Sequence, residues 1–140
     1  MIKVNRPYPV PQISFTVGVG GVKKGQLATV SSSTAVAASE GVSTAIVIGV
    51  ALDDYDAGDV GYFECLDGSI LEMDIYQGGA TDTFSASDIG KAFDIYVDGT
   101  SGEMFIDPND TTGAMVVVMS YNNTFLKGYA KILKSLVYLA

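Results

Sequence analysis

One pattern repeats along most of this chain: a short apolar or alternating segment is followed by residues that favour a tight turn. From Gly25 to Tyr121, Gly, Asp, Ser and Asn interrupt the chain at short intervals. Sixteen glycines and an abundance of Val, Thr, Ile and Tyr are typical of strands joined by tight turns. The sequence therefore predicts an all-β fold, a small β-barrel or β-sandwich built from two related strand units with an extended N-terminal arm.

The N-terminus predicts an arm followed by a strand. Pro7, Pro9 and Pro11 restrict alternate φ angles and favour an extended backbone over residues 1–12. Residues 13–17 then alternate apolar and polar side chains, as a half-buried strand does.

Two segments account for the whole chain. Residues 1–17 are assigned to the arm and first strand, and residues 18–140 to a single β domain. Within that domain, residues 25–66 and 90–140 form a weak internal repeat, in which a Gly-x-Ala core precedes a final short strand.

Two dipeptides predict tight hairpins, because Ser32-Ser33 and Asp67-Gly68 each separate two strand-like segments. Asp-Gly is a strong signal for a two-residue hairpin. Residues 45–52 are almost wholly apolar, which predicts a strand buried on both faces. The predicted strands after the first are residues 26–31, 34–38, 45–52, 60–66, 69–76, 92–97, 103–106 and 113–121.

The C-terminal segment, residues 125–139, has two interpretations. Its apolar residues fall at helical spacing, which is compatible with an amphipathic helix. The internal repeat instead favours strands, and strands are the prediction adopted.

The residue inventory argues against an enzyme. The chain has no histidine, so Ser-His and Cys-His nucleophile arrangements are impossible. The single cysteine, Cys65, excludes an internal disulfide and a cysteine zinc site, and its apolar surroundings predict a buried side chain. Residues 18–24 contain glycines and lysines, but their spacing is wrong for a phosphate-binding loop. We therefore expect no catalytic residue, no metal and no cofactor.

The acidic loop at residues 53–59 has two interpretations. Asp54, Asp56 and Asp59 offer oxygen ligands of the kind that Ca²⁺ takes, but the glycine is one place early for an EF-hand and no closing glutamate follows. Asp and Gly are also ordinary turn residues, and this second interpretation is favoured.

Charge is strongly segregated within the net −8. Residues 1–24 contain four bases and no acid, residues 25–126 contain all sixteen acids and Lys91 as their one base, and residues 127–140 contain three bases and no acid. The acidic body should repel nucleic acid. The basic ends either contact an acidic partner or neutralise acids of their own subunit.

Hydropathy gives no sign of a membrane partner. The longest apolar stretches are far shorter than the roughly 20 residues of a spanning helix. The prolines of the arm interrupt any signal-peptide core, so cytoplasmic synthesis is expected.

Two sets of short phrases resemble phage capsid decoration (cement) proteins. The first set is residues 22–30 (VKKGQLATV), 36–38 (VAA), 48–52 (IGVAL) and 57–60 (AGDV), and the second is residues 90–92 (GKA), 97–99 (VDG) and 128–130 (GYA). Together they span most of residues 22–139. The loop at residues 78–88 is longer than the simplest pattern of the family.

The resemblance implies a protein on the exterior of a virion, bound to the major capsid protein and stabilising the assembled shell. It implies a homotrimer, in which an N-terminal arm contacts the capsid or a neighbouring copy. In this sequence, those contacts would fall on Lys3, Arg6, Pro7, Tyr8, Pro9, Val10, Ile13 and Phe15.

A carbohydrate- or cell-surface-binding β-sandwich on a virion is the alternative. Tyr55, Tyr62, Tyr76 and Tyr121 could stack on sugar rings. The absence of tryptophan, the strongest stacking residue, weighs against it.

Overall fold

The computed structural model describes residues 2–5, 12–41, 45–66 and 68–133. The chain is nearly all β, and its sheets pack in a sandwich-like arrangement without a closed barrel, so the predicted all-β class is confirmed. A single-turn 3-10 helix spans Ala86–Asp88. The strands are β1 (Lys3–Asn5), β2 (Gln12–Thr16), β3 (Leu27–Ser31), β4 (Thr34–Ala37), β5 (Val47–Ala51), β6 (Val60–Glu64), β7 (Ile70–Asp74), β8 (Ala92–Phe93), β9 (Ile95–Val97), β10 (Met104–Ile106), β11 (Val116–Asn122) and β12 (Lys127–Ile132).

The strands form two five-stranded sheets and one separate hairpin. The first sheet has the order β2-β6-β5-β3-β4, and the second sheet has the order β1-β7-β12-β11-β8. Strands β9 and β10 pair with each other. The chain thus completes the first sheet before it builds the second, except that β1 lies in the second sheet beside β7.

The hairpin predicted at Ser32-Ser33 is confirmed. Strands β3 and β4 are antiparallel with Ser31 opposite Thr34, which leaves the two serines as the turn. Both have positive φ angles, 48° and 66°. Two central residues with positive φ define a type I′ turn, whose twist matches that of the flanking strands.

The hairpin predicted at Asp67-Gly68 is wrong. Strand β6 lies between β2 and β5, and strand β7 lies between β1 and β12. Since both edges of each strand are occupied, β6 and β7 cannot pair, and the chain passes from one sheet to the other between them. Gly68 has a φ of +79°, while Asp67 lies outside the described residues.

The strand predicted at residues 92–97 is interrupted at Asp94. Strand β8 pairs with β11 at the edge of the second sheet, whereas β9 pairs with β10 across the turn at residues 98–102. Strands on both sides of that turn are therefore confirmed, but a single continuous strand over residues 92–97 is wrong.

Two hydrophobic clusters stabilise the fold. The larger lies between the sheets, with Leu27 from the first sheet and Leu71 from the second, and the smaller contains Phe63. Strand β5 contributes side chains to both clusters and is buried at every residue, as predicted. The edge strands of the first sheet meet where Gly18 N–H donates to the carbonyl oxygen of Ala35 (2.8 Å), so this sheet curls around the smaller cluster.

The C-terminal prediction is confirmed as far as the structure describes it. Strand β12 runs antiparallel to both β7 and β11. Residues 134–140 lie outside the described part of the chain.

Candidate functional site

Both ends of the described chain converge on one strand. Strand β1 pairs with one edge of β7 and strand β12 with the other, so that Lys3 and Tyr129 both lie opposite Glu72. Ile2 is buried in the larger cluster and Val4 packs against it. Because side chains alternate along a strand, Lys3 must point away from the core.

The same alternation defines the side of the second sheet that faces away from the sandwich, called here the outer face. Leu71 and Met73 of β7, Ala130 of β12 and Val118 of β11 are buried in the larger cluster. Their neighbours along each strand therefore point outward. The outer face consists of Lys3, Ile70, Glu72, Asp74, Val117, Lys127, Tyr129 and Lys131.

Lysines of the two chain ends form ion pairs on this face. Lys3 Nζ lies 3.7 Å from Glu72 Oε2, and Lys127 Nζ donates to Asp74 Oδ1. The hydrogen bond that Lys127 donates to the Asp74 carboxylate raises the pKa of Lys127. These two lysines thus neutralise acids of their own subunit. Lys131 instead lies opposite Val117.

The predicted contact residues fall into three groups. Lys3 is exposed on the outer face. Ile13 and Phe15 are half-buried on β2 and pack against the smaller cluster, so their side chains stabilise the subunit itself. Arg6, Pro7, Tyr8, Pro9 and Val10 lie outside the described residues, and their contacts stay predictions.

The aspartates of the acidic loop act as backbone acceptors. Asp54 Oδ1 accepts a hydrogen bond from Lys24 N–H (2.9 Å), and Asp59 Oδ2 accepts one from Asp56 N–H (2.9 Å). Within the described ranges, no group of three or more His, Cys, Asp or Glu side chains is arranged to hold a metal ion.

Most of the tyrosines proposed for sugar stacking have aromatic neighbours within the chain. Tyr76 stacks on Tyr96 with ring centroids 3.8 Å apart, Tyr55 packs against Phe63, and Tyr121 packs against Phe84. Tyr62 is 50% exposed. Of the four rings, Tyr62 is therefore the best available to a ligand.

A cavity of about 340 Å³ lies between the start of β3 and the β9–β10 hairpin. Buried Ile2 and Met104 line it together with exposed Lys24 and Glu103. Gln26 joins its two sides, because its Nε2 donates to the carbonyl oxygen of Gly102 (2.6 Å) while its Oε1 accepts from Lys23 N–H (2.8 Å).

Asp94 is a buried carboxylate that was not identified from the sequence. Its side chain is 0% exposed, and burial raises its pKa. The available signal was a carboxylate inside an otherwise strand-like run between Phe93 and Ile95. Cys65, in contrast, is buried as predicted.

Comparison with family models, curated proteins and solved structures gives no match to this chain. Within the described residues, no helix has the length and apolar character required to cross a bilayer.

Proposed function

We propose that this chain is a capsid decoration (cement) protein, a non-enzymatic module that binds the major capsid protein on the outside of a phage head. The sequence phrases at residues 22–60 and 90–130 support this proposal through their resemblance to that family. A sheet-built body without histidine is also compatible with a role exerted through surfaces alone.

The observation that carries the proposal is the convergence of β1 and β12 on the outer face of the second sheet. Three bases of the chain ends, Lys3, Lys127 and Lys131, thereby lie on one face of a protein whose central segment is strongly acidic. Apolar Ile70 and Val117 lie among the charges of the same face. An apolar patch with charges of both signs is suited to docking on another protein surface.

Shell stabilisation would follow from mass action. A ligand that binds the assembled shell, and not its separated subunits, shifts the equilibrium towards assembly. We further propose that the protein acts as a homotrimer. Three linked contacts on a shell with repeated sites would bind more tightly than one, without any new type of contact.

Deletion of the arm is a poor test of this mechanism. Removal of residues 1–12 would delete β1 and also Ile2, which is only 4% exposed. Loss of binding would then have a structural explanation. Single charge reversals at lysines outside the core avoid this problem.

The test is co-sedimentation with expanded heads that lack the protein, with Lys131→Glu as the variant and Lys91→Glu as the matched control. Lys131 lies on the outer face, whereas Lys91 forms its ion pair with Asp88 elsewhere. We expect the wild type and Lys91→Glu to sediment with heads, and Lys131→Glu to bind roughly three- to tenfold more weakly. Equal binding of both variants would exclude the outer face as the contact. Failure of the wild type to sediment would overturn the decoration function.

A further inference from the structure

Asp94 lies at the break between β8 and β9, where the chain leaves the second sheet. Its backbone is fixed on both sides, because Asp94 N–H donates to the carbonyl oxygen of Asp110 (2.8 Å) and Asp107 N–H donates to the carbonyl oxygen of Asp94 (3.0 Å). The turn that contains Asp107 and Asp110 therefore holds the backbone of Asp94 in one position.

The side chain of Asp94 reaches a different part of the chain. Its Oδ2 accepts a hydrogen bond from Gly41 N–H (2.6 Å), and its Oδ1 accepts one from Ile95 N–H (2.8 Å). Gly41 follows the first sheet's edge strand β4, so the bond joins the two halves of the sequence across 53 residues.

Two further contacts fasten the same turn, residues 39–41. Glu40 Oε1 accepts a hydrogen bond from Val97 N–H on β9 (2.6 Å). A Cβ atom added to Gly113 would lie 2.6 Å from the Cα of Gly41, so the two backbones are in close contact. The three contacts together form what we call the clasp.

Within the described part of the chain, the two charged groups that shift the pKa of Asp94 both carry its own sign. Burial is the largest cause of the raised pKa of Asp94, and the negative charges of Asp110 and Glu40 raise this pKa further. The hydrogen bonds from Gly41 and Ile95 lower it. Three lysines among the described residues form ion pairs, and each pairs with an acid other than Asp94. None of these ion pairs therefore offsets the charge of Asp94.

We propose that the clasp is operated by a proton: ionised Asp94 holds Gly41, and protonated Asp94 releases it. An ionised carboxylate has two strong acceptor oxygens, one for each N–H donor, whereas protonation converts one oxygen into a donor. The Ile95 N–H belongs to the next residue and has little freedom to move. Gly41 lies in an exposed turn, where water can replace the lost acceptor.

Release need not unfold the sandwich. Burial raises the pKa of Asp94 in the folded state, so protonation removes the desolvation penalty of the buried charge. The folded state is therefore more stable with Asp94 protonated than with Asp94 ionised. Acidification would therefore release Gly41 from Asp94 locally while the core remains packed. This device is independent of whether the protein binds a capsid.

The experiment is an NMR titration of the Gly41 amide in the full chain from neutral to acidic pH. We expect its proton resonance to move upfield, with a midpoint above the ordinary aspartate pKa. Its protection against solvent exchange, taken relative to the intrinsic exchange rate at each pH, should fall over the same range. Asp94→Asn should abolish the inflection. Asp110→Asn should keep it but lower its midpoint, because a neighbouring negative charge is removed.

A flat Gly41 resonance, or an inflection that survives in Asp94→Asn, would overturn the proposal. Should Asp94→Asn fail to fold, the Asp110→Asn titration decides alone: an unchanged midpoint counts against Asp94 as the group that titrates.

Discussion

Gly49 of β5 packs directly against the backbone of Glu64 in β6. A Cβ atom at position 49 would overlap the carbonyl oxygen of Glu64 and would lie 2.9 Å from its carbonyl carbon. The neighbouring atoms belong to backbone and cannot rotate away. Residue 49 must therefore be a glycine if β5 and β6 are to keep their spacing at the centre of the first sheet.

Gly49→Ala should lower the free energy of unfolding by about 1–3 kcal/mol, because the added methyl group forces two paired strands apart. Urea denaturation followed by circular dichroism measures the change. Gly99→Ala is the matched control, since a Cβ atom there has no neighbour within 4 Å and Gly99 is not among the glycines with positive φ. Its effect should stay within about 0.5 kcal/mol. Equal effects of the two substitutions would contradict the packing argument.

Gln26→Ala should lower the free energy of unfolding by about 1–3 kcal/mol, because its buried amide joins the turn before β3 to the β9–β10 hairpin. The matched control is Gln77→Ala. The Gln77 side chain likewise makes two hydrogen bonds, both donated to carbonyl oxygens, but it is exposed and water can replace them. We expect a clearly smaller loss for Gln77→Ala in the same urea titration. A larger loss for Gln77→Ala would show that the buried hydrogen bonds of Gln26 do not stabilise the fold more than exposed ones do.

The residues of a turn predicted strand pairing only where the two strands are adjacent in the sequence. The serine pair marks a hairpin because the two strands it joins are adjacent in sequence and in space. The Asp67-Gly68 signal does not mark a hairpin, because β6 and β7 belong to different sheets. Which strands lie beside β6 and β7 depends on partners that are distant in sequence, and β1, from the far end of the chain, occupies one edge of β7.

The candidate site was less accessible to sequence reasoning for the same reason. The basic ends were visible in the sequence, but their convergence on β7 depends on pairing across most of the chain. Ile13 and Phe15 are among the predicted contact residues, but an apolar side chain on a half-buried strand also fits a core position. Both side chains pack against the smaller cluster. The burial of Asp94 could not be predicted, because the neighbouring residues in the sequence do not distinguish a buried carboxylate from an exposed one.

Replacement of Ser32-Ser33 by Asn-Gly should raise the free energy of unfolding by about 0.5–1 kcal/mol. Both serines have positive φ, which L-residues adopt at a cost, whereas Asn and Gly adopt it readily. Thermal denaturation measures the effect. Ser39→Gly is the control: Ser39 is exposed and is not among the residues with positive φ, so glycine there should lower stability slightly. A gain of equal size at both positions would contradict the role assigned to the turn.

Asp94 and Asp98 should affect the pH dependence of stability in opposite directions. Burial raises the pKa of Asp94 in the folded state, so its contribution to stability is fully present below the ordinary aspartate pKa and is lost as pH rises through the folded pKa. Hydrogen bonds from Ser101 and Thr100 lower the pKa of Asp98, so its contribution is present above the ordinary pKa and is lost as pH falls. Urea denaturation from pH 3 to 7 should therefore show Asp94→Asn gaining stability relative to wild type as pH rises, and Asp98→Asn losing it. Parallel slopes for the two variants would mean that burial does not control the titration of Asp94.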